Sequence, residues 1–141
     1  MKLLLICCLA LGLAVSMPHV ASSADEKAAA EGAIAHDVYF TLKDSSPEAR
    51  KKLVDACKKY LTKHPGTLYF GAGARAEDYK QESNDQEFDV ALHIGFKNKE
   101  AYAKYRDSAK HRKFIEELKD GWKKVRVFDS HIEQPGASEE K

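Results

Sequence analysis

The clearest signal in the chain has a period of two. In His36–Lys43, Val38, Phe40 and Leu42 alternate with Asp37, Tyr39 and Thr41. That is the pattern of a strand with one buried face. The same pattern returns in Phe88–Phe96, where Phe88, Val90, Leu92, Ile94 and Phe96 oppose Asp89, Ala91, His93 and Gly95. Thr67–Arg75 predicts a weaker strand, with Leu68, Phe70, Ala72 and Ala74 on one side and Tyr69, Gly71 and Gly73 on the other. Two glycines on one face mark a bulge, or a place where a backbone or ligand comes close. A last strand is expected over Lys124–Ile132.

Between these strands the period changes to that of a helix. Ser46 is a good N-cap, Pro47 suits the first helical position, and Glu48 suits the helix dipole. The apolar stripe Ala49, Leu53, Val54, Ala56, Cys57, Tyr60 and Leu61 carries that helix to about Thr62, and His64-Pro65-Gly66 stops it. Asn98 caps a second helix with Tyr102 and Tyr105 one turn apart. Asp107-Ser108 interrupts and caps again, and His111, Phe114, Ile115 and Leu118 continue the stripe. Gly121 ends it, with Trp122 expected to pack back on the core.

The order β-α-β-β-α-β predicts an α+β, ferredoxin-like fold: an antiparallel four-stranded sheet with both helices on one face. The second face would be only moderately polar. Covering it with a second copy predicts a homodimer, a dimeric α/β barrel with a cavity.

Composition places this fold in an ordinary chain. It has 141 residues, 43% hydrophobic and 32% charged, with a formal net charge of +1. That balance gives no electrostatic reason to expect nucleic acid or a membrane surface as a partner. The basic side of the first helix, with Arg50, Lys51, Lys52, Lys58 and Lys59, reads as a solvated face.

The ends read differently. Lys2 precedes an apolar run, Leu3–Val15, shorter than the roughly 20 residues of a membrane-spanning helix. Ser22-Ser23-Ala24 supplies small residues for cleavage. A signal peptide is expected over 1–24, a flexible leader over 25–35, the folded domain over 36–133 and a tail over 134–141. The protein is therefore expected to be exported, periplasmic or secreted. Cleavage leaves Cys57 as the one cysteine, so no internal disulfide is expected. Cys57 lies on the apolar helix stripe, where an inert buried thiol is expected.

The opening His36-Asp37-Val38-Tyr39-Phe40-Thr41-Leu42-Lys43-Asp44, the Phe88–Phe96 strand, and Tyr105 to His111 followed by Phe114 form an ordered set. In that set the chain resembles the stress-responsive α/β-barrel (Dabb) domain family, over roughly His36 to Ile132. The resemblance implies a homodimeric ferredoxin-like fold of the dimeric α/β barrel superfamily and a stress-related role, but no single activity. Plant polyketide cyclases of this family close a linear polyketide by aldol chemistry with a Tyr–His acid/base pair. Tyr105 and His111 match that pair in spacing, and His36 matches a further pocket histidine. Another pocket histidine falls on Val90 here, while His93 would point to the opposite face.

The candidate catalytic residues are thus His111, Tyr105 and His36. An enolisation or aldol step needs a base near neutral pKa and a donor for the developing oxyanion. A helix-face His with a Tyr hydroxyl in reach supplies both. The same two residues would also serve as core packing. Three classes of function fit. One is an exported homodimer binding a small apolar molecule in a barrel cavity, without assigned catalysis. The second is a cofactor-free cyclase, lyase or isomerase using Tyr105 and His111. The third is a haem- or metal-dependent oxygenase, for which His36, His93 and His131 would have to meet. No ligand spacing such as H-x-x-x-H, and no phosphate or dinucleotide fingerprint, supports a cofactor or metal, and none is expected.

Overall fold

The computed structural model describes residues 32–133. The segments expected to be a signal peptide and a tail, and most of the expected leader, lie outside the described residues.

The chain forms β1 (Ala33–Leu42), α1 (Pro47–Leu61), β2 (Thr67–Ala74), β3 (Val90–Phe96), α2 (Lys99–Arg106), α3 (Ala109–Leu118), a short 3-10 turn (Lys119–Gly121) and β4 (Trp122–Ile132). The strands make one sheet in the order β2-β3-β1-β4, and every neighbouring pair is antiparallel. This is the ferredoxin-like arrangement that the element order predicts.

The alternating residues of β1 and β3 build the core. Val38, Phe40, Leu42, Val90, Leu92, Ile94 and Phe96 are all buried, together with Leu53, Cys57, Tyr60 and Leu61 of α1. Burying each large apolar side chain contributes roughly 1.5–3 kcal/mol. Cys57 is fully buried, and burial pushes its thiol up to about 12, so it is not a nucleophile.

Each helix begins where a side chain can satisfy its free amides. Ser46 accepts from the Ala49 amide at 3.3 Å, Asn98 from Ala101 at 2.9 Å, and Ser108 from His111 at 3.1 Å. The Ser108 cap starts α3 afresh and fixes the backbone at His111.

Several boundaries differ from the sequence reading. β1 begins at Ala33, because Ala33 pairs with Ile132 and Ala35 with Ser130. Ala33–Ala35 therefore belong to the sheet and not to a leader ending at residue 35. β4 starts earlier too, at Trp122, opposite Leu42.

β3 starts at Val90, not Phe88. Just before it, the Asp89 amide donates to Phe40 O at 2.8 Å. The buried Asp89 carboxylate accepts from the Leu42 amide at 2.7 Å and from the Ser45 hydroxyl at 3.1 Å, and faces Arg50 at 3.2 Å. With Asp89 turned inward, Phe88 leaves the helix side and packs on Tyr39, ring centroids 5.0 Å apart.

That contact lies on the face away from the helices. Here Asp37 meets His93 Nδ1 at 2.6 Å, and Tyr39 is edge-on to His93 and Phe128. Phe128 and Tyr69 are exposed. Gly71 and Gly73 leave open space on this face, while Gly95 is covered by the Tyr69 ring. The register shift in β2 falls between Thr67 and Tyr69, not at the paired glycines.

Candidate functional site

The alternation of β1 that buries Val38 and Phe40 also carries His36 to the helix side of the sheet. There it meets α2 and α3 across a cavity of about 410 Å³. Val38, Phe40, Leu61, Leu92, Phe114 and Trp122 form apolar walls. Ile115, Val125 and Val127 are the exposed apolar part of the lining. The polar groups in the wall are His36, Tyr102, Tyr105, Arg106, His111 and Asp129. An apolar pocket with a few convergent polar groups is the usual form of a small-molecule site.

All three residues singled out from the sequence line this one cavity. Tyr105 is only 1% exposed, and its ring centroid is 4.7 Å from that of His111 and 5.8 Å from that of His36. His64 also packs edge-on against Tyr105, at 5.0 Å, so it does more than occupy a turn. Its Nε2 lies 3.1 Å from Tyr60 O.

His111 is held in one tautomer. Its Nδ1 lies 2.9 Å from Arg106 O. A carbonyl only accepts, so Nδ1 carries the proton and Nε2 keeps a lone pair. Burial is the main cause that lowers the His111 pKa, and the neighbouring His36 and His64 lower it further. At neutral pH the ring is therefore an uncharged base.

The two tyrosines are displaced in the other direction. Burial raises the Tyr105 hydroxyl well above its ordinary value. Burial, and then the Asp129 carboxylate, raise Tyr102 likewise. Both remain O–H donors at neutral pH. A base kept neutral beside donors kept protonated is a usable acid/base assignment.

The sequence reading missed Asp129. Its carboxylate receives Nδ1 of His36 at 2.7 Å and the Tyr102 hydroxyl at 2.9 Å, while Tyr102 O lies 3.2 Å from the same His36 nitrogen. Asp129 follows Val125 and Val127 on one face of β4, and His36 precedes Val38 and Phe40 on one face of β1. Each is a polar residue ending an apolar face, which was the available signal. Trp122 adds a further polar atom: its buried indole N–H has no hydrogen-bond partner among the described residues.

The histidines considered for haem or metal do not converge. His36 lies on the helix side, His93 pairs with Asp37 on the opposite face, and His131 is an exposed residue opposite Ile34. The sheet itself separates His36 from His93.

The profile of the stress responsive A/B barrel domain matches residues 34–132. The chain belongs to this family. Solved structures share its fold. A Dabb family protein with a ferredoxin-like fold from Mesorhizobium loti is 25% identical, with a TM-score of 0.60, covering 73% of this chain and 99% of that one. A dimeric ferredoxin-like protein of unknown function from Thermobifida fusca is 17% identical, with a TM-score of 0.61 and coverages of 72% and 92%. The hydroxynitrile lyase from Passiflora edulis is 14% identical, with a TM-score of 0.61 and coverages of 75% and 98%. At such identities the last two establish fold alone. Among curated proteins no relative matches the chain. For this Dabb domain, the cavity on the helix side is where acid/base groups gather.

Proposed function

We propose that this Dabb protein binds a small, largely apolar carbonyl or hydroxyl compound in the helix-side cavity and performs cofactor-free acid/base chemistry on it, of the lyase, cyclase or isomerase type. One observation carries the reading: neutral His111 and protonated Tyr105, rings 4.7 Å apart, share the wall of an apolar cavity.

The chemistry follows from those states. His111 Nε2 takes a proton from carbon next to a carbonyl, or from a hydroxyl. In the first case the electron pair moves onto the carbonyl oxygen, and the Tyr105 O–H hydrogen-bonds the developing charge. Return of the proton to another atom completes an isomerisation. Attack of the enolate carbon on a second carbonyl closes a ring, and the proton on His111 passes to the new alkoxide. In the second case, loss of the hydroxyl proton lets the neighbouring carbon–carbon bond break, leaving a carbonyl and a carbanion that takes the proton from His111. The fold shared with the Passiflora edulis lyase supports the class but names no substrate.

The experiment is solvent deuterium exchange at the α-carbon of an apolar ketone, followed by NMR. The protein should accelerate exchange, and H111A and Y105F should bring it back toward the free rate. If all three proteins bind the ketone equally and none accelerates exchange, the catalytic reading fails and a binding module remains.

The working unit in this proposal is a homodimer joined through the face that carries Tyr39, His93 and Phe128. The dimeric neighbour from Thermobifida fusca supports this. Export by a signal peptide over 1–24, to the periplasm or outside the cell, and a stress-related role belong to the same proposal. N-terminal sequencing of the mature protein should begin at Asp25.

A further inference from the structure

We propose that Arg106 is the specificity residue of the cavity, selecting molecules that join an apolar body to a single carboxylate. This deepens the cavity reading above and rests on it.

Five arginines lie in the described domain. Arg50 is paired with Glu77 and Asp89, Arg75 with Glu77, and Arg126 with Asp85. Arg112 donates to the Asp107 carbonyl. Of these five arginines, Arg106 alone has neither an ion pair nor a side-chain hydrogen bond among the described residues. It is also the arginine in the cavity wall.

Arg106 is exposed at the rim of the cavity, and its guanidinium rests against the Tyr102 ring. Cζ lies 5.6 Å from the centroid of the Tyr102 ring, within the range of a cation–π contact. The charge acts on the site: it lowers the pKa of both Tyr102 and His111. Asp129, the carboxylate in the same cavity wall, accepts from His36 and Tyr102, and no ion pair joins it to Arg106 among the described residues.

The cavity therefore presents apolar walls, neutral donors and one arginine without an ion pair among the described residues. A planar guanidinium fork matches a carboxylate in geometry as well as in charge. A phosphate dianion fits less well, because one guanidinium balances only one of its two charges. Arg106 also supplies the carbonyl that fixes the His111 tautomer. Carboxylate recognition and base orientation thus meet in one residue, and any side-chain substitution at 106 leaves that carbonyl in place.

The test uses two probes of nearly the same shape, 3-phenylpropanoate and its neutral amide, with affinities measured by calorimetry on the full mature protein. The wild type should bind the carboxylate about tenfold more tightly than the amide. R106Q should bind both alike, and R106K should recover part of the preference. Binding of the carboxylate should also raise the His111 pKa, read from its imidazole NMR shifts in wild type but not in R106Q. Equal binding of both probes by the wild type, or an unchanged preference in R106Q, overturns the role of Arg106 and leaves the cavity reading standing. Failure of the wild type to bind either probe overturns both.

Discussion

The Asp129 carboxylate lies 2.7 Å from Nδ1 of His36, although 93 positions separate the two in sequence. His36 is 7% exposed and the Asp129 side chain 44% exposed, so a surface residue of the edge strand orients a buried imidazole. Asp129 also takes the Tyr102 hydroxyl, which ties α2 to the two strands. Replacing Asp129 with Ala leaves a buried ring nitrogen and a tyrosine hydroxyl without their acceptor. D129A should therefore cost about 1–3 kcal/mol in urea unfolding. Nitrogen NMR of His36 should show Nδ1–H as the neutral tautomer in the wild type, with that preference weakened in the variant.

His111 gives a pH dependence with a definite sign. Its pKa is lowered below the ordinary value of about 6.5, so the neutral base persists to more acid pH. The proton-exchange activity should rise as pH increases through the lowered value and be flat above about 6.5. The linked stability runs the same way: the unfolded chain takes up the proton first as pH falls. The His111 contribution is full above about pH 6.5 and is lost as pH drops through the folded value. Comparing the wild type with H111Q, in both a rate profile and a melting profile, isolates this limb.

Tyr105 separates packing from chemistry. Phe at this position keeps the ring contacts with Phe96, His64 and His111 and removes only the hydroxyl. Y105F should unfold within about 1 kcal/mol of the wild type, while the exchange rate falls on the order of 10²-fold or more. Loss of stability in step with activity would make Tyr105 a packing residue.

Gly66 is required by both space and backbone angle. Its φ is +82°, and a Cβ there would come within 2.6 Å of Ala101 Cβ. The residue lets the turn after α1 pass against α2. G66A should cost roughly 1–3 kcal/mol, seen as a lower melting temperature with an unchanged far-UV spectrum below the transition.

The dimer has its own test. Phe128 is 53% exposed on the face opposite the helices, beside Tyr39 and the Asp37–His93 pair. F128E would bury a charge in the proposed interface without touching the helix-side cavity. Light scattering should find a dimer for the wild type and a monomer for the variant. A monomeric wild type at micromolar concentration overturns this assembly.

Much of the fold was legible because its signals are local. The periods of Val38–Phe40–Leu42 and Val90–Leu92–Ile94 define strands and their faces, and Ser46, Asn98 and Ser108 mark three helix starts where caps are expected. Part of the site was legible for the same reason. Tyr105 and His111 belong to one short segment, and His36 shares its face with Val38.

Other features depended on which strand residues face each other. Nothing in the local pattern near Phe88 indicates that Asp89 turns inward to the Leu42 amide and releases Phe88 to Tyr39. Asp129 reaches His36 only because β4 pairs with β1 in a register that sets those two residues opposite one another. The sequence by itself determined the elements and most of their faces, since period and capping act over a few residues, and the family resemblance singled out Tyr105 and His111. The tertiary structure alone decided the partner of His36, the lack of an ion pair for Arg106 among the described residues and the separation of His93 from the site. Those depend on register and packing between segments distant in the chain, which no local pattern encodes.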